Sequence, residues 1–469
     1  MIGTQDRLTN YFRAFEVLSE LRRESEPVWL GHLRREAWEQ FSAAGFPTTR
    51  NEDWRFTSLN NLVRTPFRRS TQAAEGLTEQ AIREYRLPAA ACELVFVNGC
   101  FAPQFSNLES LPPGLEVESL AQTLADDPAK IEQHMGRYVN LRRDAFAALN
   151  TALWEDGAYI RIGRSAMIDL PIHLLYVSVG GVGPVMTHPR ALIIAEEASQ
   201  AAVVEEYVSV GDDPAFCNAV TEVAAGDGSV VSHCLIEREN LQSFNISTLR
   251  IEQGRGANLA SHSVLLGGGL VRNNVHPVLA GEGSECLING LFIGAGRQHL
   301  DNYMLVEHAS PNCSSRQFYN GILDGEAHGV FHGRIIVHKD AQKTDAKQTN
   351  RNLLLSDDAR IDTKPQLEIH ADDVKCTHGA TIGRIEDELL FYLRSRGLAE
   401  AEARSLLLYA FAGECLERMH EMPVRSFVEK LIRKRVHELT ETTHETSREV
   451  KHLSKKGVRN DDADRPAAV

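Results

Sequence analysis

The fold is decided by the stretch Val220-Thr221-Glu222-Val223-Ala224-Ala225-Gly226-Asp227-Gly228-Ser229, in which an apolar, β-branched run ends in a four-residue turn. The same arrangement recurs along the middle of the chain. Turns that each follow an apolar run begin at Gly226, Gly254, Gly281, Gly325 and Asp357. Short β-branched runs separated by Gly, Asp and Asn are typical of all-β structure. We expect this character from Ala158 to about Ile382.

The spacing of these turns indicates how the strands are arranged. Successive turns lie 28, 27, 44 and 32 residues apart, and the long step leaves room for an extra coil around residues 304–309. A turn that recurs in this way fits a solenoid, in which each coil buries its apolar face against its neighbours. The pattern favours a parallel β-helix. It leaves open a β-sandwich, which also has short strands between Gly-rich turns.

Helical sequence flanks the β-region on both sides. Residues 1–156 mix apolar and charged residues at helical spacing and predict a mainly helical N-terminal domain. The β-helix is expected over residues 157–384. A C-terminal helical domain is expected over residues 385–440, and the charged tail, residues 441–469, is predicted to be disordered because it is nearly free of large apolar residues.

Composition narrows the class of protein. The 469 residues include 50 Lys and Arg against 64 Asp and Glu, and the formal charge of −14 disfavours nucleic acid and anionic membrane surfaces as partners. No run of 18 apolar residues is present to span a bilayer, and the first residues lack the apolar core of a secretory signal, so we expect a cytoplasmic protein. The eight cysteines include no Cys-x-x-Cys pair, which argues against a structural zinc site.

Common catalytic motifs are missing from the sequence. Without a Gly-x-x-x-x-Gly-Lys-Ser/Thr segment, we expect no nucleotide to be bound by the chain's own motifs. Neither a Gly-x-Ser-x-Gly elbow nor a His-Glu-x-x-His pair occurs, so hydrolase and metalloprotease functions lack support. In an unbroken strand His328, His332 and His338 would share one face and could form a metal-binding ladder. Each lies beside Gly or at the end of a run, which favours surface or turn histidines instead.

A thiol and an imidazole occur two residues apart where the β-like sequence gives way to helix. Residues i and i+2 of a strand point the same way, so Cys376 and His378 should project together from the last strand, where a solenoid leaves an open edge. Thiolate and imidazole suit zinc, copper or iron–sulfur centres. Two donors are too few, so the others must come from elsewhere in the chain or from a second subunit. A buried cysteine with a capping histidine is an equally good interpretation of the pair.

Long motifs surround this pair, and shorter ones lie further upstream. The long ones are Gln348–Ser356, Asp362–Ile369, Ala371–Cys376, His378–Thr381 and Phe391–Gly397, and the shorter ones are Asn51–Thr57, Val95–Gly99 and Ala148–Thr151. Together they closely resemble the SufB/SufD family, whose members are scaffold subunits of the SUF machinery for iron–sulfur cluster assembly. The resemblance extends from about residue 45 to residue 420.

The resemblance implies a fold, a function and partners. The fold is a right-handed parallel β-helix between two helical domains, and the function is that of a non-catalytic scaffold. The partners are a SufB-like paralogue and a SufC-like ABC ATPase, with a possible homodimer in their absence. His378 matches the family's histidine at the interface with the paralogue, where a nascent iron–sulfur cluster is held transiently together with a cysteine of the paralogue. Cys376 matches the family's nearby cysteine, as a second ligand or as a core thiol.

The resemblance also implies where the ATPase binds. The family's ATPase-contacting helices match about Phe391 to Phe411. The residues expected to bind the partner are Arg394, Arg396, Leu398, Leu406, Leu407 and Phe411.

Two other classes of protein compete with the scaffold. A β-helix enzyme acting on polysaccharide would line a groove with paired carboxylates or basic residues and would often be secreted. A lone metal-binding or storage protein is disfavoured because the chain offers one site with two donors.

Overall fold

The computed structural model of the chain describes residues 4–70, 77–180 and 183–457. The helices are α1 (Thr4–Arg22), α2 (Val28–Ala44), α3 (Asn60–Arg64), α4 (Glu79–Ile82), α5 (Leu120–Asp126), α6 (Ala129–Glu132), α7 (Ala145–Leu153), α8 (Asp387–Ser395), α9 (Glu400–Leu416) and α10 (Met422–Gly457). Short 3-10 helices lie at Glu52–Trp54, Arg83–Tyr85 and Pro103–Phe105. In this described part of the chain, no helix is long and apolar enough to span a membrane.

The strands occupy the middle of the chain with a few outliers upstream. They are β1 (Arg68–Arg69), β2 (Cys92–Val97), β3 (Cys100–Phe101), β4 (Leu115–Ser119), β5 (Gly157–Ile162), β6 (Ile172–Val179), β7 (Val185–Thr187), β8 (Arg190–Ala195), β9 (Gln200–Val210), β10 (Ala215–Ala225), β11 (Val230–Arg238), β12 (Phe244–Gln253), β13 (Asn258–Leu265), β14 (Leu270–Leu279), β15 (Glu285–Gly294), β16 (His299–His308), β17 (Ser314–Leu323), β18 (His328–Val337), β19 (Asp345–Leu354), β20 (Arg360–Ile369) and β21 (Lys375–Gly383).

These strands form two sheets that face each other across an apolar interior. Sheet A runs β20-β18-β16-β14-β12-β10-β8-β5-β4, and sheet B runs β21-β19-β17-β15-β13-β11-β9-β6-β2-β3. From β5 onward the pairing within both sheets is parallel. Because successive strands alternate between the sheets, each pair of strands makes one coil, and the coils stack into a solenoid of about eight turns. The parallel β-helix is confirmed, and the β-sandwich is wrong.

The long step between predicted turns has a geometric origin. The turns at Gly226, Gly254 and Gly281 lead from sheet A to sheet B, whereas the turn at Gly325 leads from β17 in sheet B to β18 in sheet A. The 44-residue step therefore spans one and a half coils. The extra coil expected around residues 304–309 is the one formed by β16 and β17.

The solenoid interior is built from stacked columns of side chains. One column carries Val223 on β10, Ile251 on β12, Val306 on β16 and Ile335 on β18, all buried. In-register parallel pairing puts equivalent side chains on neighbouring strands next to each other, so each coil covers the apolar face of the one before. The interior is thus one continuous core along the rod.

A buried arginine ties the N-terminal region to the first coils. Arg190 on β8 donates to Asn150 Oδ1 at 2.9 Å and Thr151 Oγ1 at 3.0 Å on α7, and it forms an ion pair with the fully buried Glu222. Glu222 in turn accepts the backbone N–H groups of Gly136 and Tyr138 at 2.8 and 2.9 Å. Buried charges need such complete pairing, and this network joins the two regions into one packed body.

Two segments differ from the expected helical and disordered structure. Residues 115–119 fall within the region expected to be mainly helical, but Leu115, Val117 and Ser119 are buried with the period of two that a strand requires, and they form β4. The tail predicted to be disordered from residue 441 instead continues α10 to Gly457. Extending a helix that packed residues have already nucleated costs little. Residues 458–469 of that tail lie outside the described residues.

Candidate functional site

The solenoid ends in two edge strands. β20 pairs only with β18, and β21 only with β19, within the described residues. Ile369 on β20 and Ile382 on β21 are 40% and 53% exposed, in contrast to the buried isoleucines of the inner coils. An edge strand presents a row of unpaired backbone N–H and C=O groups. This end of the rod can therefore accept a strand and an apolar surface from another molecule.

The thiol and the imidazole lie on this last strand and face the mouth of the solenoid. β21 places Cys376 beside Ala346 and His378 beside Gln348, and both neighbours on β19 are buried in the interior. Side chains in register on neighbouring parallel strands point the same way. Cys376 and His378 thus project together, as their spacing predicts. Cys376 is half-buried against the core, and His378 is exposed.

The surroundings of the two side chains make them chemically unequal. Burial, with a smaller contribution from the Asp345 carboxylate, raises the pKa of the Cys376 thiol, although the backbone of Ala346 opposes this. A thiol whose pKa is raised is protonated at neutral pH and must lose that proton to bind a metal. The exposed imidazole of His378 is the more available donor. A tetrahedral metal takes four ligands, and no group of three or more His, Cys, Asp or Glu in the described chain is placed to hold a metal ion.

A pair of glutamines lies directly below His378 in the interior. Gln348 Nε2 donates to Gln317 Oε1 at 2.7 Å, and both side chains are almost fully buried. Across the interior on β18, Gly333 leaves room for them, because a Cβ there would overlap Gln348 Nε2 and stand 3.0 Å from Gln317 Oε1. This amide ladder was missed from the sequence. Its only signal was the recurrence of Gln at corresponding places in successive coils.

The histidines of β18 do not join this site. His328 Nε2 lies 2.8 Å from Asp362 Oδ2, and His332 Nε2 lies 2.7 Å from Gln366 Oε1, both on the outer face of sheet A. His338 follows the strand and lies 3.2 Å from Glu307. Each is occupied by its own neighbour on an adjacent coil. His338 is exposed and His328 half-exposed, as expected, whereas His332 is 3% exposed and is not a surface histidine.

The C-terminal helices fold back onto the outer face of sheet B. Asn289 Nδ2 donates to the carbonyl of Cys415 at 2.9 Å, and Asn320 Nδ2 donates to the carbonyl of Phe411 at 2.8 Å. The ion pair between Arg351 and Glu414, at 2.6 Å, adds a third link between α9 and the sheet. Helix α9 is therefore anchored on the same solenoid that carries the edge strands.

The six residues expected to bind the ATPase differ in exposure. Arg394 and Arg396 are exposed; Arg394 lies 3.4 Å from Glu400, and Arg396 stacks over the ring of Tyr392 at 5.2 Å. Leu406 is 49% exposed. The others are half-buried: they are Leu398, Leu407 and Phe411. Phe411 packs against the cluster that joins α9 to sheet B.

Neighbouring residues on α8 are more exposed than several of those six. Phe391, Tyr392 and Leu389 are 74%, 54% and 47% exposed, whereas Leu390 between them is buried. We call Leu389, Phe391, Tyr392 and Leu406 the α8–α9 face. The sequence carried a signal for it, since four consecutive large apolar residues on a helix cannot all point at one core. Exposed large apolar side chains on two helices that contact each other are candidates for protein–protein contact.

The fold and this end of the rod define a class: a parallel β-solenoid with helical flanks, an open edge carrying an imidazole and a thiol, and an exposed apolar helix face. Comparison with known proteins agrees with this class. The family described as "SufBD protein N-terminal region" matches residues 5–174, and the family described as "SUF system FeS cluster assembly, SufBD core domain" matches residues 177–411. The chain belongs to the SufBD family of iron–sulfur cluster assembly proteins.

Curated relatives cover most of the chain. The iron–sulfur cluster assembly SufBD family protein slr0076 of Synechocystis is 34% identical over 431 residues, which are 88% of this chain and 94% of the relative. The iron–sulfur cluster assembly protein SufD of Escherichia coli is 33% identical over 385 residues, 82% of this chain and 88% of the relative. The iron–sulfur cluster assembly protein SufD of Bacillus subtilis is 26% identical over 420 residues, which are 87% of this chain and 94% of the relative. The resemblance of the sequence motifs to this family is thereby confirmed.

Proposed function

We propose that this chain is a non-catalytic scaffold subunit that holds a nascent iron–sulfur cluster at His378 during assembly. The observation that carries the proposal is the exposed imidazole on an unpaired edge strand, at the mouth of the solenoid and beside a half-buried thiol. Imidazole nitrogen is a recognised ligand of iron–sulfur centres. The cluster is cargo, which leaves the scaffold once complete.

The partner that completes the site is a SufB-like paralogue. Its edge strand would pair with β20 and β21 and cover Ile369 and Ile382, in the way that strand addition builds many protein–protein interfaces. The paralogue would supply the ligands that two donors of this chain leave unfilled. His378 is then a ligand from this side of the interface, with Cys376 as a second ligand or a core thiol. Without the paralogue, a second copy of this chain is the natural cover for the same edge.

The α8–α9 face is the proposed docking surface for a SufC-like ABC ATPase. Support comes from the exposed Phe391 and Leu406, together with the exposed Arg394 and Arg396 beside them. Only three residues separate the end of β21 at Gly383 from the start of α8 at Asp387. Movement imposed on α8 by ATP hydrolysis in the partner would therefore reach the strand that carries His378.

The test is anaerobic cluster reconstitution on the complex of this chain with its SufB-like and SufC-like partners, using ferrous iron and sulfide. The His378→Ala complex should assemble normally but retain several-fold less cluster than wild type. His32→Ala is the matched control, because His32 is an exposed histidine on α2. It should behave like wild type. If His378→Ala retains as much cluster as His32→Ala, His378 is not a ligand.

A further inference from the structure

A large cleft lies on the other side of the solenoid, between sheet A and the N-terminal region. Its volume is about 410 Å³, within the range of small-molecule sites. One wall is the segment 44–54, the opposite wall is the segment 140–145 before α7, and the floor is the outer face of β12, β14, β16 and β18. Neither the proposed cluster site nor the α8–α9 face contributes to it.

Most charges in the cleft are already neutralised by neighbours. Arg250 pairs with Asp144 at 2.7 Å, Arg272 with Asp301 at 2.5 Å and Arg334 with Glu368 at 2.7 Å. The lining carboxylate Glu52 is likewise paired with Lys364 at 2.8 Å, whereas Glu307 only accepts a hydrogen bond from His276 at 2.6 Å and keeps its charge. These pairs build rigid walls and leave little net charge behind.

Two adjacent arginines on the cleft wall are the exception. The guanidinium groups of Arg142 and Arg143 are exposed and form no ion pair with any residue in the described part of the chain. Asp53, which has no ion-pair partner among those same residues, and Glu307, whose partner His276 is neutral, are the lining carboxylates that oppose them. The charges of these two arginines are thus balanced by Asp53 and Glu307, and the capacity of the cleft to bind an anion lies in the two exposed guanidinium groups rather than in a net positive charge.

The segment that carries these arginines is held in place before any ligand arrives. Asn140 Oδ1 accepts the backbone N–H groups of Arg142 and Arg143, both at 3.2 Å. The next residue, Asp144, caps α7 through the N–H groups of Phe146 and Ala147 and is fixed to the floor by Arg250. A preorganised site loses less entropy on binding.

The floor of the cleft is fixed by its own hydrogen bonds. Arg250 donates to His276 Nδ1, so His276 must carry its proton on Nε2 and donate that proton to Glu307. Burial lowers the pKa of His276 and keeps this neutral form. Arg250 Nε is buried and without a hydrogen-bond partner in the described chain. The Arg250 side chain is 12% exposed and already paired with Asp144, so the contacts to a ligand fall to Arg142 and Arg143.

We propose that this cleft binds a small polyanion through Arg142 and Arg143, with phosphate or carboxylate groups as the recognised chemistry. Arginine presents a planar fork of donors that matches both groups in bidentate geometry. Such a ligand would contact the N-terminal segment and the solenoid at once. It would therefore brace the two regions and stabilise the folded chain by mass action.

The test is calorimetric titration of the full-length chain with pyrophosphate and, in a separate arm, with citrate, at about 20 mM salt. Saturable one-to-one binding of either probe is expected, and the arm with the tighter binding identifies phosphate or carboxylate as the recognised group. The double variant Arg142→Gln, Arg143→Gln should bind at least tenfold more weakly, because both sets of charge-assisted hydrogen bonds are lost.

The matched control is the double variant Arg255→Gln, Arg297→Gln, which removes two exposed arginines from turns of the solenoid. It should bind like wild type. Circular dichroism on all variants separates lost binding from lost folding. The proposal is overturned if neither probe binds saturably to the folded wild-type chain, or if both double variants bind equally well.

Discussion

Replacing Gly333 with alanine tests the packing directly below the candidate site. The added Cβ would overlap Gln348 Nε2 and come within 2.8 Å of Gln348 Cδ and 3.0 Å of Gln317 Oε1. The amide ladder would have to separate, losing the 2.7 Å hydrogen bond between two buried side chains. Overpacking costs about 1–3 kcal/mol, and an unsatisfied buried amide costs about 1–3 kcal/mol more. We expect a total loss of about 2–6 kcal/mol.

Thermal unfolding followed by calorimetry measures this loss. With an unfolding entropy of about 2.1 cal/mol/K per residue, a chain that unfolds as one unit should lose roughly 1 °C of Tm per kcal/mol, or about 2–6 °C in all. The control is Gly379→Ala on the exposed edge strand, where a Cβ meets no atom within 4 Å. It should leave the Tm unchanged. Equal Tm values for the two variants would refute the packing described for the interior.

Three further predictions concern the proposed surfaces and a buried acid. The double variant Phe391→Asp, Leu406→Asp should lose the SufC-like ATPase in a pull-down and keep its Tm, because both side chains are exposed on the chain alone; retained binding would remove the α8–α9 face as the docking site. Ile382→Asp should abolish co-purification with the SufB-like paralogue while ATPase binding persists, and an intact complex would argue against pairing at this edge. Burial raises the pKa of Glu239 to about 7, so its stabilising contribution is complete below the ordinary pKa of about 4.5 and is lost as the pH rises through 7. Glu239→Gln should therefore gain stability over wild type at pH 8 and not at pH 4 in urea titrations, and the same difference at both pH values would contradict the burial of the acid.

The solenoid could be predicted from the sequence because its signal is local and repeated. Each turn, such as the one that begins at Gly226, follows its own apolar run within a few residues, so no distant contact is needed to recognise it. The spacing of Cys376 and His378 fixed their common direction in the same local way. The spacing could not show the difference in exposure between the two side chains. That difference depends on the core that half-covers Cys376 and on the absence of a further strand over His378 in the described chain.

Contacts between distant parts of the chain escaped prediction. Asn289 and Asn320 read as ordinary strand residues, and nothing near them in sequence shows that they receive α9, which begins at Glu400. Leu398 and Phe411 were expected on the partner-binding surface, but packing of α9 on sheet B half-covers Phe411. The cleft at Arg142 arises where the segment before α7 crosses sheet A. Helical and strand periodicities carry no information about such crossings.

The most direct test of the central claim is pulsed EPR on the reduced, reconstituted complex with 15N-histidine incorporated only in this chain. If His378 is a ligand, the paramagnetic cluster should show hyperfine coupling to a 15N nucleus, and the coupling should vanish in His378→Ala while it persists in His32→Ala. A cluster that shows no 15N coupling in the wild-type complex, or the same coupling in His378→Ala, would contradict the assignment.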